Sequence, residues 1–247
     1  MIRPIFNRYE RKYILSSHQK DELLLFLKDY MDHDDFSKDG KAYTIYNVYF
    51  DTQDFNIIRN SISKPKYKDK LRLRSYKCPA EPNDMVFLEI KKKFEGRVNK
   101  RRINLTYQAA IDYLEKDIKP KFDLYVDEQI FNEIDYFINI HKVKPGAFIS
   151  YERIALISSK EELRITFDHQ LLFRKQNITL NTSGGTSIME NENTWLMEVK
   201  SNDNFPLWLA QKLSSFQLYS QGYSKYGSAY KQFLLGGTTD DYILYDY

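Results

Sequence analysis

The sequence predicts an α+β fold: a closed antiparallel β-barrel of about eight strands around a polar tunnel, with helices packed outside. Three observations carry this expectation. Segments in which apolar and charged residues alternate recur through nearly the whole chain, as half-buried strands require. Between them lie stretches with apolar residues at helical spacing, which need a sheet surface to cover. Charge also collects on one face of strand after strand. A sheet that is apolar towards its helices and charged on the other side is most simply a barrel with a polar lumen.

The elements follow in order. Strands are expected at about 6–14, 43–51, 68–77, 85–94, 97–105, 147–157, 162–174 and 193–201. Ser16, with Gln19 three residues on, reads as the capping box of a helix whose Leu23, Phe26, Leu27 and Tyr30 form one stripe. The strands at 85–94 and 97–105 form a hairpin over Glu95-Gly96. A two-residue turn there sets Lys91 opposite Lys100 and Glu89 opposite Arg102. Thr106 opens a helix to about Lys116, and 125–142 carries Phe131, Ile134 and Ile138 at helical spacing. Pro206 starts a helix to about Leu218, and a last one covers roughly 225–234. The stretches 78–84 and 183–193 are Pro- or Gly/Asn-bearing loops. No repeat or low-complexity linker divides the chain, so residues 1–235 read as one domain and 236–247 as a tail.

Composition narrows the class. At 247 residues, 42% apolar and 29% charged, the chain is long enough to bury a core and is not a disordered sequence. The start "MIRPIFNRYERKY" lacks the apolar segment of a signal peptide, and no apolar run is long enough to span a bilayer. With the single cysteine Cys78, this gives an expectation of a cytoplasmic protein with no membrane segment. Net charge is only +3, and the basic residues pair within strands rather than lining a helix, which argues against nucleic acid as a partner. His18, His33, His141 and His169 show no ligand spacing, and Cys78 has no partner for redox or metal chemistry.

The charged faces are the informative feature. Glu89, Lys91 and Lys93 alternate along one strand and share a face. Glu10 and Lys12, Arg72 and Arg74, Arg164 and Asp168, and Glu198 and Lys200 do the same on others, and Arg153 sits in register with Tyr151. For any one strand a solvated outer face explains the pattern. Taken together the faces favour Arg and Lys in pairs, whereas a solvated surface mixes both signs. Like charges directly across a ladder repel, so a polyanion is the expected occupant. Phosphate chains fit, because Arg binds their oxygens bidentately and Lys acts as a point charge. Carboxylates beside phosphate either pair with these cations or hold a divalent metal. Glu198 is the first candidate ligand and Glu10 the second.

In the order "RYERKY", "YNVYFDT", "KLRLRSY", "FLEIKKKF", "SYERIAL", "LRITFD", "MEVKS" and "YSKYGSAY", spread over about residues 5–235, these motifs resemble the VTC (vacuolar transporter chaperone) catalytic domain in its bacterial soluble form. That family lies within the triphosphate tunnel metalloenzymes. The resemblance implies a polyphosphate polymerase that moves the γ-phosphate of ATP onto a polyphosphate or pyrophosphate acceptor, using Mn²⁺ or Mg²⁺. It implies a basic lining of Lys12, Arg72, Arg74, Lys91, Lys100, Arg153, Arg164, Lys200 and Lys225, with Lys93 as a further phosphate contact and Glu198 at the metal. Of these, Lys12, Arg72, Arg74, Lys91 and Lys200 are expected at the catalytic centre. Hydrolytic relatives begin with alternating Glu, Glu, Lys, whereas this chain has Arg8, Glu10 and Lys12. Losing one carboxylate weakens a second metal site of the kind that orients an attacking water, which favours transfer over hydrolysis. The competing expectations on the same tunnel are a triphosphatase, a nucleotidyl cyclase and a non-catalytic polyphosphate-binding module.

Overall fold

The computed structural model describes residues 9–95, 97–189, 191–202 and 204–235. Arg8, the expected strand start at 6–8, the turn residue Gly96 and the tail 236–247 lie outside the described residues. The strands are β1 (Tyr9–Ser16), β2 (Asp32–His33), β3 (Tyr43–Asp51), β4 (Tyr67–Ser75), β5 (Met85–Phe94), β6 (Arg97–Thr106), β7 (Lys144–Ser158), β8 (Leu163–Arg174), β9 (Thr186–Ser187) and β10 (Thr194–Ser201). The helices are α1 (Ser17–Leu27), α2 (Asn56–Ile62), α3 (Tyr107–Lys116), α4 (Tyr125–His141), α5 (Leu207–Ser215) and α6 (Lys225–Ala229), the last running into a π-helical segment, Tyr230–Leu234.

All eight expected strands are present, and each expected helix appears close to its expected span. The caps form as the side chains dictate. The Ser16 hydroxyl accepts from the Gln19 N–H while the Gln19 side chain accepts from the Ser16 N–H, and the Thr106 hydroxyl accepts from the Ala109 N–H. Four elements are additions: α2, β2, β9 and a 3-10 turn at Lys38–Gly40. The seven residues of α2 are too few to show a period. Its start is fixed from a distance by the buried Asp51 carboxylate, which accepts from the N–H groups of Ile57 and Ile58.

The hydrogen-bonded strand order is β1-β10-β8-β7-β3-β4-β5-β6, with β2 on β7 and β9 on β8. The pairs β1–β10, β10–β8, β3–β4, β4–β5 and β5–β6 are antiparallel. This order has two ends, β1 and β6, with no pairing between them among the described residues. The α+β antiparallel sheet is therefore present, and the closed barrel is corrected to an open order. Charge patterning fixes which face of a strand is polar, but it carries no information on whether the outermost strands meet.

Contacts divide the chain into two interleaved units. One comprises Met1–Thr44, Tyr151–Leu171 and Ser187–Tyr247; the other comprises Ile45–Ser150 and Leu172–Thr186. In the first, Tyr13 and Leu15 of β1, Ile165 and Phe167 of β8, and Met197 and Val199 of β10 turn their apolar face to Leu23 and Leu27 of α1 and to Leu209 and Leu213 of α5. In the second, Leu71 and Leu73 of β4, Leu88 and Ile90 of β5, and Ile103 of β6 pack under Tyr107 and Tyr113 of α3 and Phe131, Ile134 and Phe137 of α4. Each such fully buried aliphatic side chain contributes about 1.5–3 kcal/mol. The period of two then leaves the charged residues on the opposite face of each unit's strands. Gly185 closes the loop before β9, where a Cβ would come within 2.5 Å of the Phe173 carbonyl.

Candidate functional site

The second unit carries the β5–β6 hairpin. Its register is the one the two-residue turn dictates: Phe94 pairs with Arg97, Lys91 with Lys100 and Glu89 with Arg102. Glu95 adopts φ +45°, the sign that a type I′ turn demands. On the other side of β5, Lys91 faces Lys70 and Glu89 faces Arg72 of β4. Lys70, Lys91 and Lys100 therefore stand in one row across three strands, an arrangement that costs energy through like-charge repulsion.

Glu89 offsets part of that cost. Its carboxylate is 1% exposed and is ringed by cations: Arg72 Nε at 2.7 Å, Lys100 Nζ at 2.5 Å and Arg74 Nε at 3.8 Å. Burial alone raises its pKa, yet Arg72, Arg74 and Lys100 outweigh that and hold it well below the usual carboxylate range. Arg102, its direct cross-strand partner, instead lies over the Phe87 ring at 4.9 Å. Two further groups aim the arginines. Tyr49 Oη accepts from Arg72 at 3.3 Å, and the buried Asn47 accepts from Arg74 at 3.3 Å while donating to the Ile149 carbonyl at 3.0 Å. Lys93 lies further along the same face of β5 and is exposed.

Lys100 is the titratable member of this cluster. Burial lowers its pKa, Glu89 raises it and the positive charges of Arg74 and Arg72 lower it again, leaving it at about 7. Its side chain retains 38% exposure, so solvent screens part of that repulsion. An anion bound among these cations favours the protonated form. Tripolyphosphate binding above pH 7 is therefore expected to take up a proton, and binding below pH 6 is not. Calorimetry at pH 8 in buffers of different ionisation enthalpy reads this directly. The uptake should vanish in Lys100→Met, and equal uptake in both proteins would show that the proton goes elsewhere.

The first unit gathers the other predicted residues. Pairing of β1 with β10 sets Lys12 opposite Glu198 and Glu10 opposite Lys200, so opposite charges meet at both positions. Lys12 Nζ lies 3.4 Å from Glu10 and 3.5 Å from Glu198, and donates to the Tyr223 carbonyl at 2.7 Å. Lys200 and Lys225 each lie 3.3 Å from Glu198. Lys225, carried into the cluster by α6, lies 2.5 Å from Asp168. Arg153 clamps Asp168 bidentately, Nε at 2.6 Å and Nη2 at 2.7 Å. Burial raises the pKa of Glu198, but Lys225, Lys12, Lys200 and Arg153 hold it well below the usual range; Asp168 is lowered likewise against its own burial, chiefly by Arg153 and Lys225. Lys225 is in turn held above the ordinary lysine value, because Asp168 and Glu198 outweigh its desolvation.

Lys12, Lys200, Lys225 and Arg153 thus share one cluster with Glu10, Glu198 and Asp168, so the inward carboxylates pair with the basic residues, one of the two roles expected of them. Arg164 shares the polar face of β8 but is taken by Asp34 at 2.8 Å, whose other oxygen accepts from the Phe36 and Ser37 N–H groups. Asp34, Asn47, Tyr49 and the Tyr223 carbonyl escaped the reading of the sequence. Asp34 sits in "DHDDF", which has no period, and a backbone carbonyl leaves no trace in sequence.

Among the described residues no group of three or more His, Cys, Asp or Glu side chains is disposed to hold a metal by itself. Glu10 and Glu198, on adjacent strands, nevertheless converge on one positive charge, the Lys12 ammonium. Two carboxylates suit an ion whose remaining ligands are phosphate oxygens and water.

The sequence matches the VTC domain model over residues 7–234. The chain belongs to the VTC domain family. No curated relative matches it. Among solved structures, this VTC domain is similar to a Bacillus halodurans protein named a "putative adenylate cyclase", with TM-score 0.55 and 16% identity, over 90% of this chain and 96% of that one. A Vibrio parahaemolyticus protein of the same name aligns with TM-score 0.47 and 14% identity, over 92% and 98%. At such identities the Bacillus likeness speaks for the fold of the VTC domain and nothing finer. No helix among the described residues is long and apolar enough to cross a membrane.

Proposed function

We propose that this VTC domain is a cytoplasmic polyphosphate polymerase, with residues 1–235 acting as one functional domain. A terminal phosphate oxygen of the chain attacks the γ-phosphorus of ATP, the bond to the β–γ bridging oxygen breaks, and ADP leaves. The observation that carries the reading is the convergence of Arg72, Arg74 and Lys100 on one buried anion, Glu89. Groups that hold a carboxylate in this way are also disposed to grip phosphate oxygens. Arg72 and Arg74 neutralise charge on the transferred group. Lys91 and Lys93, further along β5, and Lys100 guide the chain. Lys12 and Lys200, with Arg153, Arg164 and Lys225, serve phosphates on the first unit's face. The attacking oxygen is already ionised at neutral pH, so the reaction needs alignment and charge cancellation rather than a general base.

Mn²⁺ or Mg²⁺ would be held by Glu198, with Glu10 beside it, and would supply cancellation of negative charge on phosphate oxygens. Arg8 in place of a carboxylate supports transfer over hydrolysis. Incubation with ATP and Mn²⁺, with products sized on a gel and nucleotides resolved, tests the assignment. The expected products are ADP and long polyphosphate. ADP with free phosphate would make the protein a triphosphatase, cyclic nucleotide with pyrophosphate a cyclase, and tight binding without turnover a sensor.

A further inference from the structure

In the first unit two buried carboxylates share Lys225, and their contacts differ in kind. The ion pairs of Glu198 with Lys12, Lys200 and Lys225 are each 3.3 Å or longer. The contacts of Asp168 are 2.5–2.7 Å, with both oxygens engaged by Arg153 and one also by Lys225. Lys12 and Lys225 each have a shorter contact away from Glu198, at the Tyr223 carbonyl (2.7 Å) and at Asp168 (2.5 Å). If Glu198 changes partner, those two ammonium groups stay where they are. Asp168 is 0% exposed and Arg153 and Lys225 are nearly as buried, so the clamp is not a surface pair that side-chain entropy would blur.

We propose that Asp168 is a positioning residue. It fixes Arg153 and Lys225 towards bound phosphates, while Glu198 is the carboxylate that exchanges its lysines for another cation. The inference rests on the phosphate-binding reading above, not on the identity of the reaction. Arg153 is stacked 5.1 Å from the Tyr151 ring and Lys225 4.4 Å from the same ring, so the aromatic face and Asp168 together leave these cations little room to reorient.

The test uses charge against geometry. Asp168→Asn and Glu198→Gln each remove one negative charge from the same cluster. Simple electrostatics therefore predicts tighter metal-free tripolyphosphate binding for both. Positioning predicts opposite signs: binding at least as tight as wild type in Glu198→Gln, and weaker by on the order of ten- to a hundredfold in Asp168→Asn. Both are read by calorimetry on the full chain, with circular dichroism to confirm folding. Should Asp168→Asn fail to fold, Asp168→Glu keeps the charge and displaces it by one methylene, so any loss of affinity reports geometry alone. Affinity at or above wild type in a folded Asp168→Asn, or unchanged in Asp168→Glu, overturns the proposal. A wild type that binds tripolyphosphate but makes no polymer removes the polymerase reading and leaves this comparison intact. A wild type that binds no tripolyphosphate removes both.

Discussion

Arg74→Ala is expected to lower polymer synthesis by about two to three orders of magnitude, as loss of one preorganised donor to a developing charge does. Arg74 is 7% exposed and is aimed by Asn47, so its guanidinium pays little entropy on meeting phosphate. It is also a cleaner subject than Arg72. Arg72 lies 2.7 Å from the buried Glu89 carboxylate, so its removal also takes a close partner from a buried anion and costs stability; Arg74 stands at 3.8 Å. Arg74→Lys separates charge from shape. It keeps the positive charge and loses the planar fork, so an intermediate fall in kcat/KM is expected. Steady-state kinetics on variants with unchanged melting temperature measure this, and near-normal turnover in Arg74→Ala would sink the catalytic assignment of this cluster.

Glu198→Gln should abolish metal-dependent polymer synthesis while leaving metal-free phosphate binding intact. The substitution keeps the size of the side chain and removes the charge that a hard cation requires. Three lysines at 3.3–3.5 Å lose their shared anion, which leaves the cluster more positive and more receptive to phosphate. Added Mn²⁺ is expected to restore activity only in part, because Glu10 remains as a single ligand. Product formation across a Mn²⁺ titration reads the result. A variant that polymerises normally at low Mn²⁺ would reduce Glu198 to an ion-pair partner and move the search for the metal to Glu10.

The parts of the molecule that follow from period and local chemistry were legible in sequence. Alternation in "FLEIKKKF" placed Glu89 and Lys91 on one face, and the two-residue turn then fixed Lys91 against Lys100. Ser16 and Gln19 announced the start of α1. What was not legible depends on partners distant in the chain. Glu89 does stand opposite Arg102 as expected, yet its carboxylate pairs with Arg72, directly opposite on β4, and diagonally with Lys100, and the hairpin sequence alone says neither that β4 lies on that side of β5 nor that Arg102 turns to Phe87. Asp168 could be seen as an inward acid, but the Arg153 and Lys225 that clamp it come from β7 and α6, and nothing local says that these meet. Closure of the sheet failed as an expectation for the same reason, since the two ends of a strand order leave no mark on any one segment.

The pairing of β1 with β10 has a consequence for the newborn chain. Tyr9 stands opposite Ser201, so during synthesis β1 waits for β10, the last of the described strands. At ordinary elongation rates that wait is roughly ten to forty seconds. Over the same interval the second unit, complete by Thr186, has all its strands in hand. Throughout, β1 presents Tyr13 and Leu15 with no sheet to receive them, and the charged residues that alternate with them on the opposite face, Glu10 and Lys12, guard so long-exposed a strand against pairing with the wrong neighbour.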